Sequence, residues 1–343
     1  MYTEADIWET FMVLDKKRIL TGDRTTGKLH LGHYVGSLKN RVELQDEYDT
    51  FILLADIQAL TTHFEDPKLL NSSIYDVAID NLSVGLDPNK VTIIQQSAVK
   101  AIAEITIFYS MLVSVNALRH NPTIKSEASQ YGYKEMTYGF LGYPVSQTAD
   151  ITFCNAHLVP VGEDQIPHIE LARKIVRKFN DMYHTNIVEP MAKLSSTPRL
   201  LGLDGSAKMS KSRGNAIYLS DPAEEVKKKV MRAVTDPARV TIDIPGHPEI
   251  CNVGQYHKIF TPDRADEIWD RCRNATIGCV ECKKILIDSI NTLLDPIREK
   301  RSYYEKNIDE VRDIINAGSK KANEIGDRQV EMMREAMHLD INK

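Results

Sequence analysis

The chain has 343 residues, which is enough for one large domain or two ordinary ones. Apolar residues make up 42% and charged residues 27%, values that exclude a largely disordered chain. The formal net charge is −5, from 43 basic and 48 acidic side chains, which excludes a strongly basic nucleic-acid binder but not a local basic face. The N-terminus lacks a secretory pattern and no apolar run is long enough to span a membrane. We therefore expect a cytoplasmic enzyme with reduced thiols.

The first half of the chain alternates short apolar strands with helices. Strands are predicted at 18–21, 50–56 and 91–95, and helices at 29–45 and 68–85. Near-continuous apolar strands in this order predict an α/β fold with a Rossmann-like doubly wound parallel sheet. After about residue 220 the pattern becomes mostly helical. We therefore predict a catalytic domain at 1–220 and a helical domain at 221–343.

A glycine-rich segment follows the first predicted strand and leads into a helix. It reads TGDRTTGKLHLGH over residues 21–33, and Gly22 and Gly27 permit a tight turn there. Backbone N–H groups exposed at a helix start suit a phosphate. His30 and His33 are three residues apart and so share one helix face. The segment indicates a phosphate-binding turn; the alternatives are a plain helix cap with solvated histidines, or a His-x-x-His metal pair that lacks a third ligand nearby.

A second basic segment, KMSKS at residues 208–212, is flanked by Gly202, Gly205 and Gly214. Two lysines on a glycine-rich loop can close over a polyphosphate and neutralise charge on a leaving pyrophosphate. A solvated basic loop is the alternative for this motif taken alone.

Together the two motifs resemble the paired signatures of class I aminoacyl-tRNA synthetases, and the chain resembles the tryptophanyl-tRNA synthetases in particular. The matching segments are TGKLHLGHYVGSL (26–38), ELQDEY (43–48), YPVSQTADI (143–151), LVPVGEDQIPHIELAR (158–173), AKMSKSRGNAI (207–217) and ANEIGDRQVEMMREAM (322–337). The resemblance covers nearly the whole chain. It implies ATP-dependent ligation of L-tryptophan to tRNA(Trp) through a tryptophanyl-adenylate, with Mg²⁺ entering alongside ATP.

The resemblance assigns the catalytic work to residues that would contact the ATP phosphates, which are His30, His33, Lys208 and Lys211. Other implied ATP contacts are Arg24, Thr25, Thr26, Gly32, Gly162, Glu163, Asp164, Met209, Ser210 and Ser212. In that scheme the Gly162–Asp164 stretch holds the ribose and Met209 touches adenine. Thr25 departs from the family, which usually has proline there.

The resemblance also implies a tryptophan pocket around Asp150. An ionised carboxylate only accepts hydrogen bonds and an indole N–H only donates, so a phenylalanine would leave this acceptor unpaired. The other implied pocket residues are Leu20, Gln58, Tyr143, Gln147 and Gln165, of which the last three would bind the α-ammonium group.

Two alternatives to tryptophan activation remain. Tyr143-x-x-x-Gln147-x-x-Asp150 also resembles the tyrosyl-tRNA synthetases, but they carry a tyrosine at the position of Leu20, where an apolar wall suits indole. A catalytically silent tRNA-binding paralogue would predict damage to the motifs, and all of them are intact.

Four of the five cysteines are clustered, with the spacing C-x20-C-x6-C-x2-C over Cys251, Cys272, Cys279 and Cys282. Four thiolates suit either Zn²⁺ or an iron–sulfur cluster, and spacing alone does not separate the two. Some tryptophanyl-tRNA synthetases carry a [4Fe–4S] cluster in this region, so the resemblance favours the cluster, with a structural role. We interpret Cys154 as a buried packing residue.

The resemblance further implies that the helical part contacts tRNA and that the chain forms a homodimer through a helical insertion near residues 100–145. Short basic clusters in the second half are candidates for tRNA contact, namely 227–229, 283–284, 298–301 and 320–321. Each cluster taken singly is also typical of a solvated helix face.

Overall fold

A computed structural model describes residues 16–194, 200–205 and 208–339. The strands are β1 Arg18–Arg24, β2 Asp49–Ala55, β3 Val91–Gln95, β4 Leu158–Val161 and β5 Met191–Leu194. Helix α1 spans 31–44, and it is followed by α2 Asp56–His63, α3 Pro67–Ser83, α4 Lys100–Ser110, α5 Val115–Arg119, α6 Pro122–Tyr131, α7 Tyr138–Thr152, α8 Ile166–Tyr183, α9 Ala223–Arg232, α10 Asn252–Phe260, α11 Ala265–Arg273, α12 Cys279–Lys306 and α13 Ile308–Ala336. Both predicted domains include residues that lie outside the described ranges.

The five strands form one parallel sheet in the order β3-β2-β1-β4-β5. Strand order reverses between β1 and β4, and this reversal is the switch point where open α/β sheets bind ligands. The Rossmann-like fold class predicted from the sequence is confirmed.

The buried strands carry apolar side chains toward both faces of the sheet. Ile52 and Leu54 belong to one apolar cluster, while Phe51 and Leu53, which alternate with them, belong to another. Successive side chains of a strand point to opposite faces, so each cluster lies on its own side of the sheet. This two-sided burial explains why the strands read as continuous apolar runs rather than as alternating ones.

The predicted elements of the first half are confirmed, with shifted ends. Strand β1 continues to Arg24, because the TGDR residues stay paired with β2 up to Ala55. Helix α1 begins at Leu31 and widens into a π-helical stretch at Tyr34–Leu38 before it resumes as α-helix at Lys39–Leu44. The stretch 100–145 is mainly helical, and its predicted role in forming a dimer stays a prediction.

The helical second half packs back onto the sheet. Helix α13 covers β3 so closely that a Cβ on Gly318 would lie 2.0 Å from the Ile93 carbonyl oxygen. Leu286, Ile290 and Val311 join the apolar cluster that contains Ile52. The two halves therefore share one core. No helix of the described ranges is long and apolar enough to cross a membrane.

Candidate active site

The carboxyl end of β1 holds a buried ion pair that the sequence analysis did not identify. Arg41 from α1 donates to both carboxylate oxygens of Asp23, at 2.5 and 3.1 Å, and also to Asn81 and to the Gly22 carbonyl. Burial alone would raise the pKa of Asp23, but the charge and hydrogen bonds of Arg41 bring it down to about 2. Asp23 is therefore ionised at neutral pH, and the pair fixes the turn that leads from β1 into the glycine-rich segment.

His30 and His33 lie together at the start of α1, as predicted, with ring centroids 3.9 Å apart. His30 caps the helix: its Nδ1 accepts from the Gly32 N–H at 3.1 Å, and the His30 N–H donates to Nδ1 of His33 at 3.2 Å. Because each Nδ1 is an acceptor, each ring carries its proton on Nε2. Burial lowers the pKa of His30 to about 2 and that of His33 to about 4. Both rings are thus neutral donors through Nε2.

The two predicted phosphate-binding motifs are in direct contact. Lys211 donates from Nζ to the Gly27 carbonyl at 2.5 Å, and burial lowers the pKa of this lysine. Lys208 is exposed, and Met209 is buried with its Cβ close to Gly32. Met209 is therefore a wall beneath the turn, and its predicted contact with adenine stays a prediction.

The described parts of the KMSKS segment are anchored by backbone hydrogen bonds. The Met209 N–H donates to Leu200, and the Ser210 N–H donates to the Asn215 side chain. Ser212 lies in the short turn Lys211–Arg213. Of the two lysines in this segment, Lys208 is the one that projects into solvent, where it can contact a ligand.

An open cleft of about 470 Å³ lies between the two motifs and is lined by Thr26, Gly27, Lys211 and Tyr218. Within the described ranges, Thr25 Oγ1 is buried without a hydrogen-bond partner. Arg24 bonds to Thr62 through its terminal nitrogen, while its Nε is buried and unpartnered. Buried polar atoms without partners are costly, so these two atoms are consistent with a polar ligand beside the turn.

Asp150 on α7 is fully buried, as an indole acceptor should be, and its partner is a residue the sequence analysis missed. Gln96 donates from Nε2 to both carboxylate oxygens, at 2.8 and 2.9 Å. Burial raises the pKa of Asp150 to about 7; the Gln96 hydrogen bonds oppose this rise and the charge of Asp56 adds to it. Gln96 directly follows β3, so the rule that ligands bind at the carboxyl ends of strands could have identified it.

Gln96 also connects Asp150 to a second predicted pocket residue. Its Oε1 accepts from the Gln58 N–H at 2.9 Å. Leu20 in β1 is buried in the same apolar cluster as Tyr143. The predicted pocket therefore lies on the face of the sheet opposite the apolar cluster that contains Leu29 and Met209. Which of its side chains touch the amino acid stays a prediction.

Tyr143 contacts a buried histidine that was not identified as a candidate. Its hydroxyl lies 2.7 Å from Nε2 of His168, and burial lowers the pKa of His168 to about 4. His168 is thus neutral and holds the tyrosine hydroxyl in place. Gln147 on α7 is half-buried, and Gln165 lies in the short turn before α8. The approach of Tyr143 and His168 follows from the packing of α7 against α8, which the sequence pattern did not specify.

The predicted ribose contacts stand at the carboxyl end of β4. Gly162, Glu163 and Asp164 follow the strand directly and are exposed. Because β4 neighbours β1 and runs parallel to it, this exposed turn lies on the same sheet edge as the glycine-rich segment.

The clustered thiols of Cys251, Cys272 and Cys279 lie close enough to Cys282 for their charges to affect its pKa. Burial raises the pKa of Cys282 to about 12, and Cys251, Cys272 and Cys279 add to that rise. Within the described ranges, no group of three or more His, Cys, Asp or Glu side chains is arranged as a metal site. Cys154 is fully buried in the apolar core, which confirms its packing role.

Two of the predicted basic clusters each contain one residue that is directed into the protein, while Lys284 and Lys300 of the same clusters are exposed. Arg301 is 3% exposed and pairs with acidic residues of α3, and Lys283 is buried and donates to two backbone carbonyls. Charge runs along a helix do not show which residues face the protein interior, and here the inward-facing members neutralise buried polar groups.

Comparison with known proteins agrees with this arrangement. The family model "tRNA synthetases class I (W and Y)" matches residues 14–295. Tryptophan–tRNA ligase of Streptococcus mutans is 49% identical over 338 residues, which is 95% of this chain and 99% of that protein. The crystal structure of Campylobacter jejuni tryptophanyl-tRNA synthetase complexed with ADP and tryptophan aligns with a TM-score of 0.84 at 29% identity, covering 94% of this chain and 99% of that one. The chain therefore belongs to the tryptophanyl-tRNA synthetases, within the class I tRNA synthetases for tryptophan and tyrosine.

Proposed function

We propose that this chain uses ATP to activate L-tryptophan and then transfers the tryptophanyl group to tRNA(Trp). The observation that carries the proposal is the direct contact between the two phosphate-binding motifs, with Lys211 bonded to Gly27 beside the two neutral histidines. The relative from Streptococcus mutans, named a tryptophan–tRNA ligase, supports the choice of amino acid.

In the first step the tryptophan carboxylate attacks the α-phosphorus of ATP, and the bond to the β-phosphate oxygen breaks. The products are tryptophanyl-adenylate and pyrophosphate. The Nε2–H groups of His30 and His33 donate to phosphate oxygens, and Lys208 and Lys211 neutralise the charge that develops on the leaving pyrophosphate. Mg²⁺ arrives bound to the ATP phosphates. The protein acts mainly by positioning the reactants and stabilising charge.

Other predicted ATP contacts surround this path. Those along the nucleotide are Arg24, Thr25, Thr26 and Gly32, and those on the second motif are Met209, Ser210 and Ser212. The ribose is held by Gly162, Glu163 and Asp164, and the carboxylate oxygens of Glu163 and Asp164 accept hydrogen bonds from the ribose hydroxyls. Thr25 Oγ1 and Arg24 Nε lack partners among the described residues, so a hydrogen bond to the nucleotide would satisfy either atom.

The tryptophan pocket is proposed around Asp150, whose buried carboxylate accepts the indole N–H. Tyr143, Gln147 and Gln165 bind the α-ammonium group. Leu20 and Gln58 complete the pocket. A phenylalanine would leave the buried acceptor unpaired, which is the strongest form of rejection available to such a site.

In the second step the acyl group moves to the 3′ end of tRNA(Trp). We propose that a catalytic domain at 1–220 carries both steps and that the helical part, 221–343, contacts the tRNA. We further propose a cytoplasmic homodimer formed through the helices of the 100–145 region. Exposed apolar side chains in that region, Ile107, Met111, Val115 and Tyr138, support a protein contact there.

Amino-acid-dependent exchange of pyrophosphate into ATP tests the first step. We expect exchange with tryptophan and none with tyrosine, and His30→Asn should abolish most of it. His184→Asn is the matched control, because His184 is exposed and its backbone is left-handed, which asparagine tolerates. Exchange with tyrosine alone would refute the choice of substrate, and no exchange would favour a silent tRNA-binding protein.

We also propose that Cys251, Cys272, Cys279 and Cys282 hold a structural [4Fe–4S] cluster, with Zn²⁺ as the alternative. Four soft sulfur donors support the fit: burial raises the pKa of Cys272 and Cys282, the nearby Cys251 and Cys279 add to that rise, and a bound cation would relieve this repulsion. Metal analysis and visible absorbance of anaerobically purified protein test it. Cys282→Ala should lose the metal and Cys154→Ala should keep it; metal-free wild-type protein would refute the site.

A further inference from the structure

Helix α12 places a buried guanidinium against α3. Arg301 is 3% exposed, and its side chain pairs with Asp76 at 2.6 Å and with Asp80. The Asp80 side chain is fully buried. Burying a carboxylate is costly unless the group is paired and hydrogen-bonded, so the partners of Asp80 indicate its role.

The second oxygen of Asp80 has a different partner. It accepts the backbone N–H of Leu29 at 2.7 Å, while Arg301 occupies the first oxygen. Leu29 is completely buried and directly precedes His30. The Asp80 carboxylate of α3 therefore bridges helix α12 in the second half of the chain and the residue before the first histidine.

The same three-residue stretch is held from its other side by the segment that follows KMSKS. The Leu31 N–H donates to Ile217 at 2.9 Å, and the Leu29 carbonyl accepts from Leu219 at 3.0 Å. Residues 29–31 are thus fixed between a backbone ladder and the Asp80 side chain. Among these partners, Asp80 is the one that a single substitution can remove without altering either motif.

We infer that Asp80 is a positioning residue for adenylate formation, and that Arg301 holds its carboxylate in place; this inference rests on the proposed function. Asp80 fixes the Leu29 amide, and with it the backbone from which His30 and His33 project their Nε2–H groups. The helical second half thereby takes part in the activation step, through one ion pair, as well as in any contact with tRNA.

The charge state of Asp80 agrees with this role. Burial raises its pKa to about 6, and the charge of Arg301 and the Leu29 hydrogen bond oppose the rise. Asp80 is thus ionised in an assay at pH 8, where it is a stronger acceptor for the Leu29 N–H than a neutral group.

The test compares Asp80→Asn with Asp76→Asn. Both remove one carboxylate from Arg301, but only Asp80 touches Leu29. An asparagine keeps one acceptor oxygen, which the charged Arg301 takes, so the Leu29 N–H then faces the amide N–H₂ and loses its acceptor. Misplacing a catalytic group by about 1 Å can lower the rate about 100-fold, so we expect kcat for pyrophosphate exchange to fall about tenfold or more in Asp80→Asn. The KM for tryptophan should change by less than about twofold, because the proposed amino-acid pocket is built on other elements. Asp76→Asn should keep its kcat.

We measure thermal unfolding and amide hydrogen exchange together with the kinetics, because these measurements distinguish a purely structural role of Asp80 from a positioning role. A structural role alone would lower the melting temperature of Asp80→Asn and leave kcat per folded enzyme unchanged, and that result would overturn the inference. An equal loss of kcat in Asp76→Asn would also overturn it. Exchange of the Leu29 amide should accelerate in Asp80→Asn and not in Asp76→Asn, and this readout stays valid even if the wild-type protein activates another amino acid or none.

Discussion

Gln96 offers the sharpest test of the proposed amino-acid pocket, because it is the donor that holds Asp150. Replacing it with leucine removes both hydrogen bonds to the carboxylate while keeping similar volume. Both bonds start from the same Nε2, so we count them as one hydrogen bond to a charged group, which contributes about 1.5–3 kcal/mol, and about 1.36 kcal/mol corresponds to one pKa unit. The pKa of Asp150, about 7 in the intact protein, should therefore rise by about one to two units in Gln96→Leu.

This shift predicts a change in the pH profile and not only a loss of activity. At pH 8 the ionised fraction of Asp150 should fall from about nine-tenths to between about one-half and one-tenth, so the KM for tryptophan should rise about two- to tenfold. The rise should be recovered at higher pH, where the carboxylate ionises again. Pyrophosphate exchange measured from pH 6 to pH 9.5, with tryptophan varied, gives both quantities (the pH limits are about those that bracket the two midpoints).

Gln95→Leu is the matched control for this substitution. Gln95 is the preceding residue, and it donates to Asp56 and Ser97 instead of Asp150. Its removal should leave the midpoint of the tryptophan KM profile within about half a unit of the wild-type value. An unchanged midpoint in folded Gln96→Leu would refute the reasoning, since Asp150 would then not be the group that governs tryptophan binding.

Further predictions concern stability, pH and Lys211. Gly22→Ala should destabilise the protein by about 1–3 kcal/mol in thermal or denaturant unfolding, because its Cβ would lie 2.2 Å from the Leu53 carbonyl oxygen; Gly36→Ala, with open space around it, should not. In the wild-type enzyme the KM for tryptophan should rise as pH falls below about 7, since protonation removes the charged acceptor Asp150, and Asp150→Asn should abolish this dependence. Lys211→Met should lower kcat for exchange about 100-fold with little effect on the KM for tryptophan, whereas equal effects on both would count against its role on the leaving group.

The sequence predicted the strands and helices of the first half well because these elements depend on local patterns. Val91–Gln95 is a strand with the predicted bounds, since its apolar run is short and bounded by polar residues. Gln96, which directly follows it, escaped notice because glutamine has no strong pattern of its own; its importance comes from a partner 54 residues away. Contacts of this kind depend on how α7 packs against the sheet, which periodicity does not determine.

The basic residues of the second half also show that a sequence pattern does not determine long-range contacts. The run 298–301 predicts a solvent-facing basic patch, yet Arg301 is directed inward to α3. A helix of 28 residues that packs along one side must bury some positions, and a charged residue there needs a partner supplied by another element. The partner, Asp80, lies 221 residues away in the chain and carries no motif, so only the packed structure reveals the pair.

The charge distribution at the site explains how an acidic chain can work on ATP. His30 and His33 are neutral, and their capping bonds fix which nitrogen donates. They therefore supply direction without adding positive charge. Lys208 and Lys211 carry positive charge on a separate segment bounded by glycines, and Lys211 reaches the turn from the other side. In the proposed mechanism, fixed neutral donors favour one geometry of the phosphates, and the lysines add positive charge where the leaving pyrophosphate forms. Rate enhancement should thus depend on the approach of the segment that carries Lys208 and Lys211. Neither a chain with a net charge of −5 nor the neutral histidines alone would supply this positive charge.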